Sequence, residues 1–207
     1  MASIKFTKIL SAAANANVFK KSVQSANQWY RQATKTFRRQ VMRPNMIESD
    51  NDPESAPALK RQLVGNMYYF SYLPKHKDTL PYYDAFPLVL PLDLHGDGFT
   101  GINFHYLPPM YRAILFDRIL DMFEAPSDRL RVLNRSRISY NVLESMGSRY
   151  KYFKPAVKRY LFKNIRSRLI ELDQPEWKVA LFLPVQRFIG ADESQIYRES
   201  RKQIRGK

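Results

Sequence analysis

The stretch Arg149-Tyr-Lys-Tyr-Phe-Lys-Pro-Ala-Val-Lys-Arg-Tyr-Leu-Phe-Lys-Asn-Ile-Arg-Ser-Arg168 carries eight lysines and arginines and no acid. Ammonium and guanidinium groups at this density suit one chemistry above others, the binding of phosphates. Pro155 is compatible with the first turn of a helix. A helix from there sets Val157, Leu161, Ile165 and Leu169 on one side and Arg159, Lys163 and Arg166 on the other. The spacing thus predicts a two-faced helix whose charged side meets phosphates at intervals similar to those of a duplex backbone. A solvated helix face is the competing explanation, but such a face usually carries balancing Glu or Asp four residues away. Arg149, Lys151, Lys154, Lys158 and Arg168 belong to the same candidate surface. The tail from Tyr197 to Lys207 has five bases against one acid, and its Arg201, Lys202 and Arg205 form either a second phosphate contact or a frayed end.

Other reactive residues offer less. Tyr150, Tyr152, Phe153 and Tyr160 are interleaved with the bases and could stack on exposed nucleobases at a DNA end or on a single strand. Core packing is the alternative for such aromatics. His76, His95 and His105 fall on a loop, a turn and a strand without paired ligand spacing, so no metal site is expected. Asp84, Asp93 and Asp97 surround a hairpin and could assemble a nuclease Mg²⁺ site, although turn chemistry accounts for Asp93 and Asp97. There is no phosphate-binding Gly-x-x-x-x-Gly-Lys-Ser/Thr loop. The absence of cysteine removes disulfides, thiolate nucleophiles and Cys-ligated zinc. These observations predict a binding protein rather than an enzyme, with no cofactor.

Charge along the whole chain supports the same direction. The formal net charge is +15 and the isoelectric point about 10.0. It divides as +9 over residues 1–45, −3 over 46–148 and +9 over 149–207. Two basic ends around a mildly acidic middle favour a positioned polyanionic partner, nucleic acid above all, over general solvation. No run approaches the ~20 apolar residues of a membrane span.

The elements that must carry these groups can be read coarsely. Residues 1–45 contain no acid and predict a basic, partly helical arm, with Lys20, Lys21, Arg31, Lys35, Arg38 and Arg39 as candidate contacts. The segment shares its Ser/Ala/Arg-rich composition with organelle transit peptides, but we expect it to be retained. Residues 46–58, acidic and proline-rich, predict a linker, and 59–207 a single core. Strands are expected at 67–73, 86–92 and 99–106, with Pro87 and Pro91 requiring an open side or a bulge. The clearest helix is Met110–Phe123; Ser127 is a candidate cap, and Glu176–Leu183 reads as a late strand. The expected fold is α+β, a small, partly open antiparallel β-barrel or sheet with flanking helices and the basic helical N-terminal arm.

Four strings carry a resemblance. They are Lys75-His-Lys-Asp-Thr-Leu-Pro-Tyr-Tyr-Asp-Ala-Phe-Pro-Leu-Val, Gly101-Ile-Asn-Phe-His-Tyr-Leu-Pro-Pro, Tyr152-Phe-Lys-Pro and Ala180-Leu-Phe-Leu-Pro-Val-Gln-Arg-Phe. Over roughly 65–205 the chain resembles the DNA end protector, or tail completion, family of T-even-type tailed phages. The resemblance implies a virion protein, assembled in the host cytoplasm and located at the head–tail junction. It would bind the end of packaged double-stranded DNA, with neck, portal or tail proteins as partners. It supplies no catalytic residue. Two other roles stay open, a structural connector of the neck, tail or baseplate without a direct DNA role, and an Mg-dependent nuclease acting through the hairpin aspartates.

Overall fold

From Met67 to Phe70 and from Leu88 to Leu90 successive side chains alternate between two apolar faces, the period-two pattern of a sheet buried on both sides. Met67, Tyr69, Leu88 and Leu90 join one buried cluster, whereas Tyr68, Phe70 and Val89 join another. This computed structural model describes residues 5–13, 16–36, 63–123, 153–172, 176–182 and 187–205. Helices α1 (Phe6–Ala12) and α2 (Ala16–Thr36) are followed by strands β1 (Met67–Tyr69), β2 (Tyr83–Asp84), β3 (Leu88–His95) and β4 (Gly98–Asn103). Helix α3 (Pro109–Phe123), β5 (Val157–Leu161), β6 (Ile170–Leu172), α4 (Trp177–Ala180), β7 (Phe188–Ile189) and α5 (Glu193–Arg205) complete the order.

The strands pair antiparallel in the order β5-β4-β3-β1-β6, and β2 pairs with β7 separately. The class is α+β, and the main sheet is open, with β5 and β6 at its edges, rather than closed into a barrel. β3 and β4 form the expected hairpin, turning at Gly96-Asp97. Pro91 has no N–H for the ladder, and the register shifts between Pro91 and Asp93, so the proline is accommodated by a bulge. Gly98 lets β5 approach: a Cβ there would stand 1.9 Å from the Tyr160 carbonyl oxygen.

Helical residues Phe6, Phe116, Trp177 and Ile196 pack against Leu88, Leu90 and Ile102 in the larger cluster. The smaller cluster joins Tyr68, Phe70, Val89, Phe99 and Tyr160 to Leu63, Phe162, Ile165 and Leu169. α3 starts at Pro109, where a missing N–H is harmless, and buries Ala113, Leu115, Phe116 and Ile119. Asp117 of α3 accepts hydrogen bonds from the backbone N–H groups of Phe6 and Thr7 and from Thr7 Oγ1, the last at 2.6 Å. α1 has no capping side chain of its own at Lys5, so a carboxylate from a distant helix satisfies its first N–H groups. The Phe6 ring lies tilted against Phe116, with their centroids 5.0 Å apart. Residues 6–12 and 16–36 are helical, and Phe6, Ala13 and Ala26 are buried in the main core. The boundaries expected at 45 and 58, the linker between them and the Ser127 cap lie outside the described residues.

Three local expectations are corrected. The basic segment is not a helix from Pro155: a 3-10 turn at Lys154–Ala156 leads into β5, and a second turn follows at Phe162–Asn164. Val157, Tyr160 and Leu161 favour a strand, and β4 offers an edge on which Tyr160 stacks against Phe99 at 5.4 Å. The strand expected over 99–106 stops at Asn103, whose side chain accepts from the His105 N–H and opens a 3-10 turn, Phe104–Tyr106. The late strand over 176–183 is instead helix α4, anchored by the Trp177 indole donating to the Leu172 carbonyl at 3.1 Å. A short apolar run has no periodicity long enough to separate the two states.

Replacing Asp117 by Ala should lower stability by roughly 1–2 kcal/mol and speed amide hydrogen exchange selectively across residues 6–13. Unchanged exchange there would show that Phe6 packing alone holds α1.

Candidate nucleic-acid interface

Although β5 replaces the expected helix, the same side chains face outward. Arg159, Lys163 and Arg166 are exposed, as are Lys154 and Arg168, while Ile165 and Leu169 are buried and Val157 and Leu161 partly so. β5 is an edge strand, and cations on an edge also discourage pairing with a second sheet. Arg159 lies 2.7 Å from Asp97 Oδ1 with both side chains more than half exposed. A pair of this kind is readily screened and exchanged. Arg149 and Lys151 lie outside the described residues.

The basic tail is a seated helix rather than a frayed end. Asp192 starts α5 by accepting from Ser194 Oγ and, at 2.8 Å, from the Gln195 N–H. The inner face of α5 buries Ile196, Tyr197, Ser200 and Ile204, and Ser200 Oγ donates to the Tyr106 carbonyl at 2.7 Å. Buried Arg112 of α3 donates to the Leu107 carbonyl at 2.7 Å and to the Tyr197 hydroxyl, locking the helices together. The outer face presents Arg198, Arg201, Lys202 and Arg205. α5 packs against the Lys154–Ala156 turn that leads into β5. At the other end of the chain Lys20, Lys21 and Arg31 of α2 are exposed; Lys35 is in the same helix, and Arg38 and Arg39 lie outside the described residues.

Beside β5 a buried polar network joins four elements. Asp84 Oδ2 lies 2.6 Å from His105 Nδ1 and accepts from Asn103 Nδ2 at 3.0 Å. Asp84 Oδ1 accepts from the N–H groups of Phe86 at 2.9 Å and Arg187 at 3.4 Å. Asn103 Nδ2 also donates to the Tyr160 hydroxyl at 3.1 Å. Burial acts to raise the Asp84 pKa, but the charge and hydrogen bond of His105, then Asn103 and the Phe86 N–H, outweigh it and hold it below the usual carboxylate value. Nothing in the spacing of residues 84, 103, 105 and 160 announces this network, and sequence reasoning missed it.

The network backs a cleft of about 330 Å³ whose walls include Tyr82, Tyr83, Tyr106, Lys158 and Arg159, with Leu80 exposed at its lip. Lys158 is half-buried, its Nζ 4.2 Å from the Tyr106 ring centroid, and burial holds its pKa below the ordinary lysine value. Of the four aromatics singled out earlier, Phe153 and Tyr160 are core residues, and Tyr150 and Tyr152 lie outside the described residues.

The three hairpin aspartates sit in different surroundings. Asp84 is enclosed in its network, Asp93 is exposed, and Asp97 is bound to Arg159. Among the described residues no group of three or more histidines and carboxylates is placed to hold a metal ion. His95 Nε2 pairs with Thr100 Oγ1 at 2.8 Å, and His105 is wholly enclosed.

The described residues thus define a cationic α+β protein built on an open antiparallel sheet. The family model of the phage T4 terminal DNA protecting protein matches residues 5–203, and the chain belongs to that family. This makes it a bacteriophage DNA end protector, a virion-associated structural protein rather than a member of a known enzyme family. No curated protein and no solved structure matches the chain. No described helix is long and apolar enough to cross a membrane.

Because folding lowers the Asp84 pKa, the carboxylate's contribution is complete above about pH 4 and is lost as pH falls through the folded value. Asp84→Asn should destabilise the protein near pH 7 by on the order of 3 kcal/mol. It should also flatten the decline in stability below about pH 4, read from urea unfolding at a series of pH values. An acid limb parallel to that of the wild type would place the acid sensitivity elsewhere.

Proposed function

We propose that the protein binds the terminus of packaged double-stranded DNA without sequence preference, through phosphate contacts, and so protects it and assists head–tail joining. Family membership carries this reading. The exposed cations of β5, the following turn and α5 support it physically, because contacts to phosphate are electrostatic and indifferent to sequence. Lys154, Lys158, Arg159, Lys163, Arg166 and Arg168 would form one contact group, Arg201, Lys202 and Arg205 a second, and the cations of α2 a third. A location at the head–tail junction, with neck, portal or tail proteins as neighbours, follows from the same role.

Binding to blunt linear duplex and to closed circular DNA of equal length, across a salt series with Mg²⁺ present, tests the proposal. Preference for the linear form with a steep salt slope and intact DNA supports end protection. Absence of binding to both would favour a structural connector, and Mg²⁺-dependent cleavage would favour the nuclease. Replacing Arg159, Lys163 and Arg166 together by Ala should weaken binding and flatten the salt slope by about one unit per lost phosphate contact. An unchanged slope would remove these three from the interface.

A further inference from the structure

We propose that the cleft beside Lys158 seats the terminal nucleotide of a DNA strand, with its base against Tyr82 and Tyr83 and its phosphate on Lys158 and Arg159. The inference rests on the reading of the protein as a binder of DNA ends and names the site that would tell an end from internal duplex.

The first ground is an uncompensated cation. Among the described residues no carboxylate or hydrogen-bond acceptor engages the Lys158 ammonium, whose one described contact is the Tyr106 ring at 4.2 Å. A half-buried lysine facing a cleft without a counterion is a ready site for an anion, and a bound phosphate would reverse the effect of burial on its charge. Arg159 lines the same cleft and is held only by the exposed pair with Asp97, which a phosphate can displace. Asp84 also reaches the wall, but His105, Asn103 and two backbone N–H groups already occupy its oxygens.

The second ground is the aromatic wall. Tyr82 and Tyr83 are half-exposed in the cleft, unlike the buried Tyr72, Tyr106 and Tyr160 around them. Ring faces stack on any nucleobase, which suits a protein that must accept ends of any sequence. Both residues are firmly placed. Tyr83 pairs with Ile189 in the β2–β7 ladder one residue from Asp84. The Tyr82 hydroxyl is bonded to Glu199 of α5, which together with burial pushes its pKa up to about 12.

The third ground is size. A volume of about 330 Å³ is at the small end of ligand clefts, enough for one nucleotide and far too small for a duplex. An internal base would have to leave two stacking neighbours to enter, whereas a terminal base leaves one, so entry selects ends. Leu80, 42% exposed at the lip, then offers an apolar surface to the newly exposed base pair.

Two measurements test the site. Tyr83→Leu should weaken binding to blunt linear duplex by on the order of tenfold while leaving binding to closed circular duplex unchanged, and Lys158→Gln should weaken binding to the linear form more than to the circular form. End preference retained in both variants would overturn the site and leave the broader proposal intact; a wild-type protein without end preference would overturn both. Photo-crosslinking of the unaltered protein to duplex bearing iodouracil at its terminal position does not depend on how the variants fold. Crosslinks mapped to Tyr82 or Tyr83, lost when the label is internal, are expected; crosslinks confined to α5 or α2 would refute the assignment.

Discussion

The buried carboxylate of Asp84 ties together the elements around the cleft. Enclosing a charge in an apolar interior is costly unless its oxygens are filled, and here they are filled from four directions: the His105 ring, the Asn103 amide and the N–H groups of Phe86 and Arg187. Those partners lie at the end of β4, in the turn behind it, in the loop after β2 and beside β7. The carboxylate therefore fastens the small two-stranded ladder to the main sheet. Tyr82 and Tyr83 lie within two residues of it in sequence, and Tyr160 joins through Asn103. Loosening the network would let the cleft wall move relative to Lys158 and Arg159.

The same region shows how a strongly charged chain still forms a core. Phe153, Tyr160 and Phe162 of the basic segment are buried, Tyr160 against Phe70, Tyr72 and Phe99, while Arg159, Lys163 and Arg166 are exposed. Along β5 Tyr160 is buried and Arg159 exposed, with Val157, Lys158 and Leu161 partly buried; along α5 helical spacing separates the two classes, with Ile196 and Ile204 buried and Arg201, Lys202 and Arg205 exposed. Both elements concentrate positive charge outside an apolar interior. A field from fixed cations on ordered strands and helices keeps its direction, which favours a positioned anionic partner over diffuse attraction.

Much of this was legible from residue types alone. Composition and charge run marked a cationic protein with basic ends. The alternation from Met67 to Asn103, the Gly96-Asp97 turn and the prolines at 108 and 109 located the hairpin and α3, because these signals depend on neighbours in sequence. Pro91 called for a bulge for the same local reason, a missing donor. Even the outward orientation of Arg159, Lys163 and Arg166 was correctly anticipated from apolar residues at intervals of four, although the element that carries them is a strand and turn.

Tertiary structure alone decided the rest. Whether 157–161 became helix or strand depended on the open edge of β4, some sixty residues earlier in sequence, and local preference could not see that edge. Trp177–Ala180 is helical rather than extended where Trp177 meets the Leu172 carbonyl and the Phe116 ring. The capping of α1 by Asp117, the Asp84–His105–Asn103 network and the cleft beside Lys158 all join residues whose spacing carries no period. Sequence determined which groups were present and which had to be hidden or exposed, through hydrophobic pattern and charge. Only the folded chain, by satisfying buried polar groups across long separations, decided which of them meet.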